Sequence, residues 1–390
     1  MAKRKSKKAS KNNTIGLGKI IFTLAILTIV VIIGWRIKKN PASDAPYPYK
    51  ISGQAKTELI DKAKDAQILF IGDRLGAGLD KFIQSFNQAA SKNISEPLKI
   101  YNMSRDGLGL HRILNELKSL PKLPSLIIYY GSTQEFFETR AHPLQYQDFL
   151  FNKKIQDEDI LSSVLMAFPD LSRVLYNPYT FYEFDLAAKP NSKVVIGAGP
   201  GKIEQMEMIF QIYEWELLEL TKYVKENNSK LVLITSPINL DVPPKANCSL
   251  SEEGGLQIAI NEMIEKLKNG KSKEVYDELK VLKAKHPSHA RLLYLFGSTA
   301  LEIGKTKEAK EALTQAATFD CATWRGSPVF NQIMRKVAAQ SGLPLVDFDS
   351  QLNAMYGQNV LFFDEVNPQN IYTKAMLTKL GELTIRLLGL

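Results

Sequence analysis

The stretch Ile68-Leu-Phe-Ile-Gly72-Asp73-Arg74-Leu-Gly-Ala-Gly78-Leu79 is an apolar run that breaks at a Gly-Asp pair and continues with helical periodicity. A short apolar run bounded by glycine is typical of a buried strand. Similar runs recur along the chain, and the candidate strands are 66–71, 98–102, 125–130, 231–235 and 343–347. Longer segments of helical period separate them, at 75–92, 108–120, 203–227, 329–341 and 370–388. This alternation predicts an α/β fold with a parallel sheet.

In a parallel α/β sheet, functional sites form at the carboxyl ends of the strands, where the loops converge and the following helices begin. The loops that start at Gly72, Met103, Gly131 and Ser236 follow four of the predicted strands. We therefore expect the functional residues of this chain to lie in those loops.

The positive charge of the chain is confined to its N-terminus. The full sequence has 50 Lys and Arg against 41 Asp and Glu, a formal net charge of +9, and residues 1–40 hold ten of the basic residues and no acidic ones. Removing them leaves 40 basic and 41 acidic groups in the remainder. The folded part therefore gives no electrostatic reason to expect a nucleic-acid partner.

The basic segment 1–19 is followed by the uncharged apolar run 20–35 and then by Arg36, Lys38 and Lys39. This pattern predicts a transmembrane anchor over 20–37, with Lys19 and Arg36 reaching the interface. Seven positive groups precede the run and three follow it, which predicts a single-pass membrane protein with a cytoplasmic N-terminus and an exported main domain, periplasmic or extracellular. A cleaved signal peptide is the alternative. The proline-containing segment 38–62 reads as a linker.

Two insertions interrupt the alternation of strands and helices. One lies within the first α/β part, 63–255, and the other separates this part from the second α/β part, 321–390. Residues 140–200 are rich in aromatics, which suits a lid, a partner surface or an ordinary packed insertion. In 256–320, apolar residues follow the spacing of a tetratricopeptide repeat, namely Leu293, Phe296, Gly297, Ala300, Ala309, Leu313 and Ala316. The sequence predicts a small helical insert there, either a protein-binding repeat pair or a generic helical hairpin.

Cys248 and Cys321, the chain's two cysteines, flank the helical insert. In an exported protein they are candidates for a disulfide that closes the insert at its base, and two free thiols are the alternative. The four histidines have no metal-ligand spacing with either cysteine, so we predict no metal and no cofactor.

Five motifs resemble, in order, the sequence blocks of the SGNH (GDSL-type) hydrolases, in particular members with a tetratricopeptide insertion. The first is Gly72-Asp73-Arg74, where the family has Gly-Asp-Ser, and the second is Tyr101-Asn-Met-Ser104-Arg-Asp-Gly107. The others are Gly131-Ser-Thr133-Gln134-Glu135, Thr235-Ser-Pro237-Ile-Asn239-Leu-Asp241-Val-Pro243 and Asp364-Glu-Val-Asn367-Pro368. The resemblance covers about 65–250 and 320–390. It implies a flavodoxin-like three-layer fold whose Gly107 would donate an oxyanion-hole N–H.

The chain departs from the family at both catalytic positions. The nucleophilic serine is replaced by Arg74 and the histidine of Asp-x-x-His by Asn367. A guanidinium does not act as a nucleophile, and an amide does not relay a proton near neutral pH. The third-block asparagine is also absent, and Thr133 or Gln134 takes its place. Gly72, Asp73, Gly107, Gly131 and Asp364 remain, which predicts a scaffold with a degenerate active site.

Three serines follow predicted strands and are alternative nucleophiles: Ser104, Ser132 and Ser236. None has an acid and a base in a recognisable order. His111 and His142 are the histidines considered as the base. Arg74 has two interpretations. It binds a carboxylate or sulfate group of a ligand in the former nucleophile pocket, or it pairs with Asp73 or Asp364 and plugs that pocket. Ser104 and Asn239 are further candidate ligand-binding residues.

These observations lead to three hypotheses for the function. The first is a non-catalytic, membrane-anchored protein that binds a ligand or partner in the cell envelope, with a carbohydrate ligand implied by the resemblance. The second is an active esterase, deacetylase or acyltransferase of envelope carbohydrate esters that uses another nucleophile. The third is a scaffold that binds an envelope protein partner through the tetratricopeptide-like insert.

Overall fold

The computed structural model describes residues 17–39, 57–90, 97–136, 203–245, 247, 254–320 and 325–390, together with 158 and 160. The chain divides into two compact units, one made of Met1–Lys50 and Gln147–Tyr179 and the other of Ile51–Tyr146 and Thr180–Leu390. The predicted aromatic insertion, His142 and both cysteines lie outside the described residues, apart from the isolated positions 158 and 160.

Within the first unit, helix α1 covers Leu17–Lys39 and contains the apolar run of the predicted anchor. The large apolar side chains from Ile21 to Ile32 along this helix are exposed. Over the residues that the structure describes, none of the helices is both long and apolar enough to cross a membrane. The transmembrane anchor over 20–37 is therefore not supported by this finding and stays a prediction.

The second unit is built on a parallel five-stranded sheet in the order β2-β1-β3-β4-β5. Its strands are β1 (Ile68–Gly72), β2 (Ile100–Asn102), β3 (Leu126–Tyr130), β4 (Lys230–Ile234) and β5 (Leu345–Val346). All four neighbouring pairs run parallel, as the alternation of apolar runs and helical segments predicted. The register places Gly72, the last residue of β1, opposite Tyr130, the last residue of β3.

Helices cover both faces of this sheet. They are α2 (Thr57–Ala63), α3 (Arg74–Ala77), α4 (Ile83–Ala90), α5 (Leu110–Lys118), α6 (Ile203–Glu226), α11 (Pro328–Ser341), α12 (Phe348–Asn353) and α13 (Asn370–Leu388). Successive strand side chains point to opposite faces, so Leu69 and Ile71 join one core with α5, α6 and α11. Ile68 and Phe70 join the other core with α4, α12 and α13. The result is the three-layer α/β architecture predicted from the sequence.

The segment after β1 differs from the single helix that we predicted over 75–92. The chain forms α3, a 3-10 turn at Asp80–Phe82, and then α4. Gly78 caps α3, and glycine is a poor helix former, so the first helix ends after one turn. A Cβ at Gly76 would lie 2.5 Å from Ser104 Oγ, so this position requires a residue without a side chain.

The insert consists of four helices, α7 (Gly254–Lys268), α8 (Ser272–Lys285), α9 (Ala290–Glu302) and α10 (Thr306–Phe319). They have a core of their own, which includes Val275, Leu279 and Phe296. A Cβ at Gly297 would lie 2.6 Å from Leu313 Cγ, so α9 and α10 approach closely at this glycine. The helical character of the insert agrees with the sequence, and its relation to tetratricopeptide repeats stays a prediction.

Candidate ligand-binding site at the carboxyl edge of the sheet

The turn after β1 passes very close to β3. A Cβ at Gly72 would lie 1.8 Å from the carbonyl oxygen of Tyr130, so any other residue at position 72 would push the two strands apart. Asp73 follows, and only 1% of its surface is exposed. Its carboxylate accepts hydrogen bonds from Leu75 N at 2.9 Å, from Thr133 N at 2.6 Å and from Thr133 Oγ1 at 2.8 Å. Asp73 therefore joins the β1 turn to the β3 turn.

Burial raises the pKa of Asp73 from 3.8 to about 6, although the hydrogen bonds from Thr133 and Leu75 act in the opposite direction. Taking a carboxylate out of water disfavours its charged form, and three donors compensate only in part. Because all three donors belong to neighbouring turns of the same scaffold, Asp73 has a structural role here.

Arg74, at the position of the family's serine, is the first residue of α3 and is exposed. Within the described part of the chain, its guanidinium has no hydrogen bond and no ion pair within 4.0 Å. Arg74 therefore makes no direct pair with Asp73 or Asp364 in the described structure, although its charge still acts on Asp364. The physical reason is that each aspartate is already occupied, Asp73 by Leu75 and Thr133 and Asp364 by its own loop.

That loop is the last motif, Asp364 to Asn367. Asp364 Oδ1 accepts from Val366 N at 2.8 Å and from Asn367 N at 2.6 Å, and Oδ2 accepts from Asn367 Nδ2 at 2.8 Å. Partial burial acts to raise the pKa of Asp364, but the hydrogen bonds from Asn367 and Val366 and the charge of Arg74 outweigh it. The pKa therefore lies below its ordinary value. The aspartate orients residue 367 as a triad acid would orient a histidine, but the oriented group is an amide.

The candidate oxyanion-hole residues lie on two loops, one after β2 and one after β3. Gly107, after β2, has a φ of +80°, a conformation that favours glycine. A Cβ at Gly131 would lie 3.2 Å from Asp73 N, so this glycine allows the two turns to meet. Both donors of Thr133 are bound to Asp73, which leaves neither for a ligand. Gln134 is buried, and its Nε2 atom has no hydrogen-bond partner among the described residues.

The three serines do not form a replacement nucleophile in the described structure. Ser132, which has a φ of +100°, donates to Ser236 Oγ at 3.2 Å, and the Ser236 hydroxyl donates to the carbonyl of Gly131. Both serines are buried and tie the turn after β3 to the turn after β4. Ser104 is also buried, and its hydroxyl has no partner in the described part of the chain. None of these hydroxyls is hydrogen-bonded to an imidazole or an amine there.

The loop after β4 is held by residues at the end of the helical insert. Asn239 Nδ2 donates to the carbonyl of Asp364 at 2.9 Å. Arg325, which is 2% exposed, donates to the carbonyls of Asn239 and Val242 at 2.5 Å each and lies 3.6 Å from the carboxylate of Asp320. Burial lowers the pKa of Arg325, and the negative charge of Asp320 opposes this effect. Asn239 is thus a support for the last motif rather than an open ligand contact.

An open cleft of about 490 Å³ lies between these loops. It is lined by Arg74, Asp106, Lys245, Asp364, Glu365 and Val366. Lys245 Nζ is 2.6 Å from Glu365 Oε2, so its charge is partly satisfied. Arg74 has no ion pair within 4.0 Å in the described part of the chain, although its charge acts on Asp364. Asn367 lines a separate crevice of about 40 Å³ beside Phe363 and Pro368.

The sequence identified Arg74 and Asp364 as site residues, and both line the cleft. Ser104, Asn239, Thr133 and Gln134 line neither cavity. Sequence reasoning missed Lys245, Glu365 and the buried Arg325, because pairings between distant loops leave no local pattern. Among the described residues, no group of three or more His, Cys, Asp or Glu side chains is placed to hold a metal ion.

No protein-family model matches the chain, and no curated protein matches it. Solved structures do match. The lipase/acylhydrolase from Enterococcus faecalis is 10% identical, with a TM-score of 0.34, over 82% of this chain and 96% of that chain. An alpha/beta hydrolase enzyme from the metagenome of Lake Arreo, Spain, is 13% identical, with a TM-score of 0.34, over 84% and 96%. A gut microbial diltiazem-metabolizing enzyme is 12% identical, with a TM-score of 0.35, over 84% and 47%. These structures include a lipase/acylhydrolase and an alpha/beta hydrolase. The likeness to SGNH (GDSL-type) hydrolases rests on the sequence motifs.

Proposed function

We propose that this protein is a non-catalytic binding protein built on a hydrolase-like α/β scaffold, and that its ligand carries an acidic group held by Arg74. The observation that carries the proposal is the exposed, unpaired guanidinium of Arg74 in the 490 Å³ cleft. It stands at the motif position where a hydrolase of this kind has its nucleophile.

The last motif supports the absence of catalysis. Acyl transfer by this arrangement needs an imidazole that removes a proton from the nucleophile. Asp364 here holds the amide of Asn367, at 2.8 Å, and an amide has no titrating group near neutral pH. The chain thus retains the acid that would orient a base but lacks the base.

The cleft favours a ligand with both an anionic group and hydroxyls. Arg74 offers a fork of donors that suits a carboxylate or sulfate, and the carboxylates of Asp106 and Glu365 accept hydrogen bonds from hydroxyl groups. An acidic carbohydrate of the cell envelope has this combination. A location in the envelope rests on the basic N-terminus and on the apolar run of α1, which would anchor the chain with its second unit exported.

The test measures ester hydrolysis and ligand binding on the same full-length protein. We expect the wild type to show no turnover of an activated acetyl ester above background. The double variant Arg74→Ser with Asn367→His should gain at least about 100-fold over background, since a nucleophile and base typically contribute several powers of ten. Each single variant should stay inactive. Turnover by the wild type that one serine substitution abolishes would instead show an active enzyme.

Binding is measured with a panel of acidic glycans. Arg74→Ala should weaken binding about tenfold or more, and Arg74→Lys should restore part of it, because lysine keeps the charge but not the fork. Arg386→Ala, which removes an exposed arginine on α13, is the matched control. Equal binding by the wild type and Arg74→Ala would refute the role of Arg74.

A further inference from the structure

A second cavity, of about 550 Å³, lies at the opposite edge of the sheet from the candidate site. Lys230 and Leu231 begin β4 there, and Leu343 and Pro344 directly precede β5. The ends of α6, α11 and α13 complete its walls, with Gln340 and Ser341 contributed by α11. Its volume falls within the range of about 300–1,000 Å³ that is usual for small-molecule sites. The cavity shares no lining residue with the cleft that contains Arg74.

The walls of this cavity are largely apolar. The apolar lining residues are Leu218, Val224, Leu231, Leu343, Pro344 and Leu387. Leu218 is 38% exposed, so apolar surface here is open to solvent. Among the described residues, no aromatic ring lines the cavity, so they give no stacking surface for a nucleobase or a sugar ring. An aliphatic chain is the ligand that fits such walls.

The rim of the cavity is basic. Three lysines, Lys222, Lys225 and Lys230, line it, and none of the other described lining residues is acidic. Lys222 and Lys225 are three residues apart on α6, so their side chains share one face of that helix, and both are exposed. In the described structure neither has an ion-pair partner, whereas Lys230 donates to the carbonyl of Leu387.

Acidic groups near this rim are few. On α6, Glu219 is paired with Lys118 at 2.8 Å and Glu226 is exposed beside Lys225. Lys225 lies in the last turn of α6, where it also offsets the negative end of the helix dipole. Lys222 is one turn further from that end, so its charge is the most available for an anionic group.

We propose that this cavity binds a single-chain anionic amphiphile, namely a long-chain fatty acid, with its chain against the leucines and its carboxylate at Lys222 and Lys225. Apolar walls alone would accept any aliphatic compound, and lysines alone would accept any anion. The two together favour a ligand that carries an acyl chain and a negative head group on the same molecule. The proposal is independent of the function proposed for the Arg74 cleft.

The test is titration of the full-length protein with palmitate below its micelle concentration. Hexadecanol, which has the same chain and no charge, should bind at least tenfold more weakly. Decanoate should bind weaker than palmitate, by roughly tenfold for each two carbons of chain that the cavity buries. The double variant Lys222→Ala with Lys225→Ala should lose at least tenfold in palmitate affinity. The matched control is the double variant Lys374→Ala with Lys379→Ala, which removes two exposed lysines of α13. It should leave the affinity for palmitate unchanged.

Two further arms separate the alternatives. Leu218→Gln should weaken the binding of palmitate and of hexadecanol alike, because it removes apolar surface from the wall and changes no charge. Arg74→Ala should change the affinity for neither ligand. Equal palmitate binding by the wild type and the Lys222/Lys225 variant, or no binding by the wild type, would overturn the proposal. Binding to phosphatidylglycerol vesicles without binding to monomeric palmitate would also overturn it and assign the lysines to a membrane surface.

Discussion

The first motif and the last motif each hold an aspartate, but the two aspartates are in opposite states. Asp73 is buried, accepts three hydrogen bonds from the scaffold, and has a pKa raised to about 6. Asp364 is exposed, is surrounded by donors of its own loop, and has a lowered pKa. Both match the family pattern equally well in sequence.

The difference shows that a residue that matches a family motif does not by that match alone have a role in catalysis. Asp73 fixes the geometry of two turns through Thr133, so the scaffold needs it whether or not a nucleophile follows it. Asp364 fixes only the position of Asn367, so the chemistry of that motif depends on the group at position 367. The first aspartate serves the fold, and the second positions the side chain of residue 367.

The largest effect is expected from Asp73→Asn. The raised pKa means that the ionised carboxylate is less stable in the folded protein than in the unfolded chain. Its contribution to stability is therefore fully present below about pH 3.8 and is lost as the pH rises through about 6. The difference between 3.8 and about 6 corresponds to about 3 kcal/mol. We expect the free energy of unfolding of the wild type, measured by denaturant titration, to fall between pH 4 and pH 7. The Asp73→Asn variant should not show this fall.

The control for this prediction is Asp65→Asn, which removes an exposed aspartate before β1. It should keep the pH dependence of the wild type. If Asp73→Asn retained the same decline as Asp65→Asn, then Asp73 would be as well solvated in the folded protein as in the unfolded chain, and its structural role would be wrong.

A smaller effect of opposite pH dependence is expected from Asp364→Ala. This change leaves Val366 N, Asn367 N and the Asn367 amide without their acceptor, but the loop is exposed and water replaces part of the loss. We expect about 1 kcal/mol of destabilisation near neutral pH. Because the pKa of Asp364 is lowered, the stability that it contributes is present above its ordinary pKa and is lost as the pH falls.

The measurement is the same denaturant titration, with Asp364→Asn as the conservative variant. That variant keeps one acceptor oxygen and should lie between Ala and the wild type near neutral pH while losing the acid dependence. A destabilisation by Asp364→Ala that grew as the pH fell would have the wrong sign and would contradict the role assigned to Asp364.

The layers of the fold were predictable because they depend on local periodicity. The five apolar runs became the five strands, and the alternation along Ile68 to Ile71 sends side chains to two cores. The break of the first helix at Gly78 was visible in the sequence but was outweighed by the helical period around it. The order of the motifs placed Arg74 and Asp364 at the same sheet edge, where they line one cleft.

The supporting contacts of the site were not predictable. Thr133 and Asp73 are 60 residues apart, and Arg325 reaches back 86 residues to the carbonyl of Asn239. Neither pairing has a periodic or local pattern, since each depends on how two loops meet after the sheet has formed. The motif pattern offers Thr133 or Gln134 in place of the third-block asparagine, and it gives no sign that both donors of Thr133 bind Asp73.

The smallest effect on stability is expected from Arg74→Ala. Arg74 is exposed and has no partner in the described structure, so the free energy of unfolding should change by no more than about 0.5 kcal/mol. Its charge does act on the last motif, where it helps to lower the pKa of Asp364. Titration of the Asp364 carboxyl by NMR should therefore show a higher pKa in Arg74→Ala and little change in Arg74→Lys. A large loss of stability without a shift at Asp364 would mean that Arg74 supports the first turn rather than facing the cleft.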